Sequence, residues 1–241
     1  MLLSRSTDYF YYWNNDLSKS LIVSSGRARK VTVMPNPSSL KLHRFRLSGH
    51  SHRVELYLSL LGLPVTLVEV ELGAGAHKRP EFLALNRFGQ VPVLEDGAQV
   101  IADSNAILIY LAEKYDTDHR FYPKDPAQRA QIQRWLSVAQ GPLHAGPCSA
   151  RLVRVFGAPL DLQAAIKKAH ELLAALESEL GARPFLVGSG PTLADIALYT
   201  YVAHAPEGDV SLAEYPNVRA WLTRVEALPG FVAMQRTEPK S

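Results

Sequence analysis

The stretch 80-PEFLALNRFGQVPVLED-96 leads directly into 102-ADSNAILIYLAEKY-115. Pro80 opens a run suited to a short helix, since a first-turn position needs no N–H donor. Gln90 to Leu94 then reads as an apolar strand with Pro92 inside it. Proline cannot donate to a ladder, so residue 92 belongs at an edge, a bulge or a cis peptide bond. Glu95 to Ala98 is a hairpin turn, and Gln99 to Ala102 is the returning strand. Asp103 or Ser104 caps the helix that comes next, with Ile107, Leu108 and Leu111 on its core face.

Upstream, Leu40 to Leu47 alternates apolar and polar residues, which is a strand signature. The turn 48-SGHSH-52 comes after it, then a helical period from Val54 to Gly62, where glycine suits the left-handed position that ends a helix. Val65 to Leu72 alternates again. Strand, helix and strand in this order make a βαβ unit with a right-handed crossover. The segment from residue 40 therefore reads βαβ, short α, ββ, α. Beyond residue 126 the texture is all-helical, with helices expected over 127–140, 150–155, 160–180 and 216–227. A fifth begins at Thr192, where Asp195 completes a capping box. The expected division is an extension over 1–36, an α/β domain over 37–117, a linker over 118–125 and a helical domain over 126–241.

The 241 residues and 47% apolar content suffice for proper cores. No run of about 18 apolar residues occurs, so no membrane span is expected. The single cysteine, Cys148, excludes an internal disulfide framework and fits a reducing compartment, hence a cytoplasmic location. Residues 1–36 hold five basic and two acidic residues, which is the whole formal charge of +3; the remaining 21 basic and 21 acidic residues balance. Net charge therefore gives no support for a nucleic-acid partner. The extension lacks the apolar core of a secretory signal. Met34, just before Pro35, is a natural start for the folded part, and no function is assigned to the residues preceding it.

Several motifs fail their own context. Gly73 and Gly75 suggest a dinucleotide fingerprint, but Lys78 stands where the third glycine belongs. There is no G-x-S-x-G elbow. His50 and His52 are half a metal set at most, and such a pair beside a helix start usually faces water or caps; no metal is expected.

Taken together, the strand followed by a Ser turn, the proline-broken strand and the Asp-Ser helix start resemble the glutathione-binding half of the cytosolic glutathione transferases, of the serine type found in theta-, zeta- and nu-like members. The helical half agrees, through 185-FLVGSGPTLADIALY-199 and 215-YPNVRAWLTRVEALPGF-231. The resemblance implies a thioredoxin-like domain followed by an all-helical one, usually in a homodimer, with glutathione as co-substrate and no permanently bound cofactor. It implies that Val91 and cis-Pro92 pair with the cysteinyl unit and that Gln90 makes a polar contact. Asp103 and Ser104 would hold the γ-glutamyl end, and His77 or Lys78 the glycyl carboxylate. The residue facing sulfur is Ser48, with Ser51 and His50 as alternatives. The turn has no Tyr or Cys, which argues against the tyrosine and cysteine types. The second substrate pocket is expected near Trp135, Leu143, Arg151 and Phe156. Arg87 and Asp103 depart from the Asn-Pro pair and the Glu common in the family. The implied activity is conjugation of an electrophilic small molecule, a detoxification chemistry. A glutathione-dependent disulfide reductase or peroxidase, or a non-catalytic binding module, are the alternatives.

Overall fold

A computed structural model describes residues 40–237. The expected extension over 1–36 lies outside the described residues. Strand β1 (Leu40–Arg44) leads to helix α1 (Gly49–Leu60) and strand β2 (Thr66–Glu69). Two short turns of 3₁₀ helix, Leu72–Ala74 and Ala76–Lys78, precede α2 (Pro80–Leu85). The hairpin β3 (Val93–Asp96) and β4 (Gln99–Ala102) and helix α3 (Ser104–Tyr115) complete this half. The sheet order is β2-β1-β3-β4, with β1 parallel to β2 and the other pairs antiparallel. The helical half comprises α4 (Pro126–Gln140), α5 (Ser149–Phe156), α6 (Leu162–Gly181), α7 (Leu193–Ala203) and α8 (Pro216–Glu226). This is a thioredoxin-like α/β arrangement followed by helices.

Several boundaries move from their expected places. β1 ends at Arg44 rather than Leu47, because residues 45–48 turn toward α1, with the Ser48 N–H donating to the Phe45 carbonyl. Helix α1 begins at Gly49, a full turn before the apolar period. Its first turn is buried through polar contacts, which a hydrophobic period does not register. β3 begins at Val93, one residue after a cis Val91–Pro92 bond. Asp103 is the cap of α3, and Ser104 is its first residue.

Leu40 and Leu42 of β1 point into the main core beside Leu94 of β3, and Leu42 pairs with Leu94 in the ladder. That core continues through α1, α3 and the helical half without a break. The opposite sheet face is covered by α2, where Phe82 packs with Val70 and Val93. In the helical half Asp195 is wholly buried, and it accepts from the N–H groups of Leu186 and Thr192 and from the Trp221 indole. The carboxylate thus closes the capping box on the Thr192 N–H, while the first helical donors go to the Phe121 carbonyl and the Thr192 hydroxyl.

Helix α1 is tied to the helical half by His52. Its Nε2 donates to the Val232 carbonyl (2.9 Å), so Nδ1 accepts from the Thr200 hydroxyl (2.9 Å). That pattern needs the neutral ring. Burial, opposed by the Val232 bond and reinforced by His204 and Arg44, pulls its pKa from 6.5 to about 4. A folded pKa below the unfolded one means that the unfolded chain binds the proton first. Stability is therefore full above pH 6.5 and is lost as pH falls toward 4, by about 3 kcal/mol for this group. In H52Q the slope of unfolding free energy against pH over that window should flatten by about 1.4 kcal/mol per unit. Denaturant titrations at several pH values check this, and an unchanged slope refutes it.

Candidate functional site

A cleft of about 1060 Å³ opens between the Ser48 turn, the residue 88–92 loop, the start of α3 and the helices α4, α5 and α7. Ser48 is the cap of α1: its Oγ accepts from the Ser51 N–H at 3.3 Å. Ser51, the alternative hydroxyl, is buried and its Oγ instead accepts from the Phe45 N–H, so it braces the turn from behind rather than lining the cleft. His50 does line it, packed edge-on to Tyr201 (5.0 Å between centroids) and near His144 (5.9 Å). Burial, then Arg53 and His144, hold its imidazole well below the usual range, so the ring is neutral at neutral pH.

Gly49 is forced by Tyr201. A Cβ at residue 49 would lie 2.7 Å from the Tyr201 ring, so only glycine lets α7 approach the first turn of α1.

The start of α3 forms the opposite wall. Asp103 has φ 75° and ψ 124°, a conformation that a non-glycine residue holds at a cost of roughly 1–3 kcal/mol. Its Oδ1 accepts from the N–H groups of Asn105 and Ala106, and its Oδ2 from Gln140 Nε2. Ser104 Oγ accepts from Arg53 Nη1 at 2.9 Å and lies 3.5 Å from His50 Nδ1. Arg53 also donates to Asn105 Oδ1, and no atom of it reaches solvent. Burial pulls its pKa down to about 10, partly offset by Tyr201 and Asp103, so it stays cationic.

Gln90, Val91 and Pro92 edge the cleft from the third side. The ladder pairs Val93 with both His43 and Ala102 and does not extend to Val91. His77 and Lys78 close the far end. Two of the three Lys78 donors are directed at the Phe88 and Gly89 carbonyls, holding that loop.

The four residues expected around a second pocket separate. Arg151 and Phe156 line this cleft. Arg151 is buried: its Nε meets Glu207, its Nη1 the Leu47 carbonyl (2.9 Å), and its Nη2 has no protein partner. Trp135 lies instead in a groove between α4 and α6, and Leu143 is sealed in the core. Both face inward, but inward there means toward α6 or the core. Arg154 pairs with Asp209 on the surface.

The cleft also contains residues that motif reading did not select. His144 to Cys148 is a π-helical turn between α4 and α5. Cys148 is buried, its thiol pushed up by that burial. Gln140 reaches Asp103 from α4. The Gly141, Pro142, Gly146 and Pro147 cluster was the only signal here, and it reads as loop.

Comparison with known proteins places this geometry. Residues 38–113 match the family model described as glutathione S-transferase, N-terminal domain, and residues 150–224 match that of the C-terminal domain. Glutathione S-transferase 3 of Zea mays is 36% identical over 202 residues, covering 80% of this chain and 91% of the maize protein. Among solved structures, a possible glutathione S-transferase from Rhodopseudomonas palustris superposes with a TM-score of 0.75 at 34% identity, covering 82% of this chain and 98% of that one. A glutathione transferase homologue from Drosophila mojavensis, solved with bound glutathione, gives 0.71 at 31% identity, covering 79% and 89%.

The Gly49–Tyr201 approach yields a test. G49A should cost about 1–3 kcal/mol by overpacking and lower the thermal midpoint, while G49A/Y201A should recover part of that loss. A G49A chain as stable as the parent, measured by calorimetry, contradicts the contact.

Proposed function

The chain belongs to the glutathione S-transferase family, and on that premise we propose a conjugating transferase in which the Ser48 hydroxyl stabilises the glutathione thiolate. The observation that carries the reading is convergence. Ser48, His77, Lys78, Gln90, Val91, Pro92, Asp103 and Ser104, far apart in sequence, line one cleft.

Glutathione is an extended peptide with two carboxylates, an ammonium and a thiol. Backbone groups at Val91 suit the cysteinyl unit, taken as a short added strand. The start of α3 offers the Ser104 N–H and hydroxyl to the γ-glutamyl carboxylate. Asp103 carries the charge for the ammonium, and His77 with the remaining Lys78 donor suits the glycyl end. The peptide's sulfur then faces Ser48 at the start of α1. A thiol is a poor nucleophile and a thiolate a good one. An O–H donor and a helix N-terminus both favour the anion and lower its pKa. The electrophile enters on the side of Phe156 and Leu152, and glutathione is a co-substrate with no resident cofactor. No described helix is long and apolar enough to cross a membrane; a cytoplasmic detoxification role fits the reading. The disulfide-reductase and binding-module alternatives share the peptide site and differ only in the chemistry after binding.

S48A should reduce kcat/KM with a chloronitrobenzene at least tenfold, about 1.4 kcal/mol of barrier, with little change in glutathione affinity. S104A should instead weaken binding to immobilised glutathione. A loss of turnover in S51A but not in S48A assigns the sulfur contact elsewhere. Turnover of a mixed disulfide in place of the chloronitrobenzene selects the reductase.

A second copy of this chain is the proposed partner. Phe88 is 81% exposed on its loop, the most exposed of the large apolar side chains among the described residues. A groove of about 810 Å³ between α4 and α6 presents Trp135, Val138, Pro142, Ala145 and Leu172. Insertion of Phe88 into the partner's groove would bury both surfaces. F88D should shift the sedimentation coefficient from dimer to monomer. A wild-type monomer, or an F88D dimer, rejects the pairing.

A further inference from the structure

The cleft floor carries a donor set for which thiolate stabilisation has no use. His50 is the second residue of α1, His144 opens the π-helical turn and Cys148 closes it. One donor atom from each lies within 4.8 Å of the other two, the only such group of three His, Cys, Asp or Glu among the described residues. Their positions differ in a useful way. Cys148 is fixed beneath the surface, His50 is wedged against Tyr201, and His144 is exposed and free to turn. A π turn inside a helical path is uncommon and is found often at functional sites. Here it puts His144 and Cys148 on one side of the chain, facing His50.

Two imidazoles and a thiol form a borderline-soft set, suited to zinc and its neighbours rather than to magnesium or calcium. Zinc holds nitrogen at about 2.0–2.1 Å and sulfur at about 2.3 Å in a tetrahedron, so its ligand atoms lie roughly 3.3–3.8 Å apart. Closing from 4.8 Å needs about 1 Å of donor movement, which rotation of the exposed His144 ring supplies. Three protein ligands leave one position open, the arrangement of zinc sites that accept an exogenous ligand.

We propose that His50, His144 and Cys148 bind a zinc-class divalent ion, with the fourth position open to the cleft. On binding, the Cys148 thiol releases its proton to solvent and no electron is transferred. His50, His144, Cys148 and Ser48 line the same cleft, so an occupied site shares its space with any thiol held there. The spacing of histidines along the sequence did not suggest this site, because its donors come from two segments that only the fold brings together.

Cobalt(II) is the probe, added to the untagged, metal-free full chain without glutathione. Because Cys148 is the chain's one cysteine, a thiolate-to-cobalt charge-transfer band in the near ultraviolet has a single source. One equivalent should produce that band together with intense tetrahedral bands in the visible. C148S should abolish the charge-transfer band. H144A, at an exposed position, should weaken cobalt binding at least tenfold; circular dichroism checks that both variants fold. No charge-transfer band in the parent chain, a band that survives C148S, or unchanged affinity in H144A overturns the site. Activity is not read, so failure of the transferase reading leaves this test intact.

Discussion

A buried guanidinium organises this cleft. Arg53 is fully removed from solvent and, among the described residues, makes no ion pair with a carboxylate. An isolated buried charge is expensive, so the surroundings must answer it with dipoles and fixed charge at longer range. They do so through Ser104 Oγ, Asn105 Oδ1 and the more distant Asp103 carboxylate. Those same three residues form the start of α3. Arg53 sits on α1, so one cation locks the first turns of two helices against each other. Both helix ends carry positive partial charge, and Arg151 adds a second buried cation behind the Ser48 turn. Arg151 is answered directly by the buried Glu207 carboxylate, so each buried cation of the cleft wall has its own compensating groups. The Ser104 hydroxyl, held by Arg53, is also the group proposed to meet a peptide carboxylate, which links the energetics of the fold to the chemistry proposed for its cleft.

The legible part of the sequence obeys a physical rule. Apolar alternation and period reported Leu40, Leu42, Leu94, Ile107, Leu108 and Leu111, which do enter the core. Turn chemistry reported Pro92, Asp103 and the Thr192–Asp195 box, because each is a local solution to a local backbone problem. The first turn of α1 was illegible by the same rule. Ser51, His52 and Arg53 are all buried, yet each by a polar bond to a distant partner: Phe45, Thr200 with Val232, and Ser104 with Asn105. A hydrophobic period cannot anticipate burial that depends on partners elsewhere in the chain.

The same distinction divides the cleft. Its thioredoxin-like wall is built from segments whose residue types are constrained by turns and caps, so Ser48, Pro92, Asp103 and Ser104 stood out. Its helical wall is built from residues that look like ordinary core or loop until α7 docks. Tyr201 reads as one more residue on an apolar helix, and Cys148 as one more buried thiol. Only the fold brings Tyr201 over Gly49 and Cys148 beneath His50. Trp135 and Leu143 show the converse. Both are buried, but a helical bundle has more than one inward side, and theirs face away from the cleft.

Whether Ser48 is a structural cap or a chemical group is a false choice. A hydroxyl has two acceptor lone pairs and one donor proton. As the cap of α1, Ser48 uses only an acceptor, taking the Ser51 N–H at 3.3 Å. Its proton remains free to point out of the helix axis. Accepting a hydrogen bond also polarises the O–H, and a polarised donor in a poorly solvated cleft binds an anion more strongly. The cap thus prepares the donor, and the helix whose start it closes adds its dipole at the same point. Ser51 also accepts one backbone N–H, from Phe45, but it is buried and does not line the cleft. The sequence offers two serines three residues apart, and burial separates the hydroxyl that lines the cleft from the one that braces the turn.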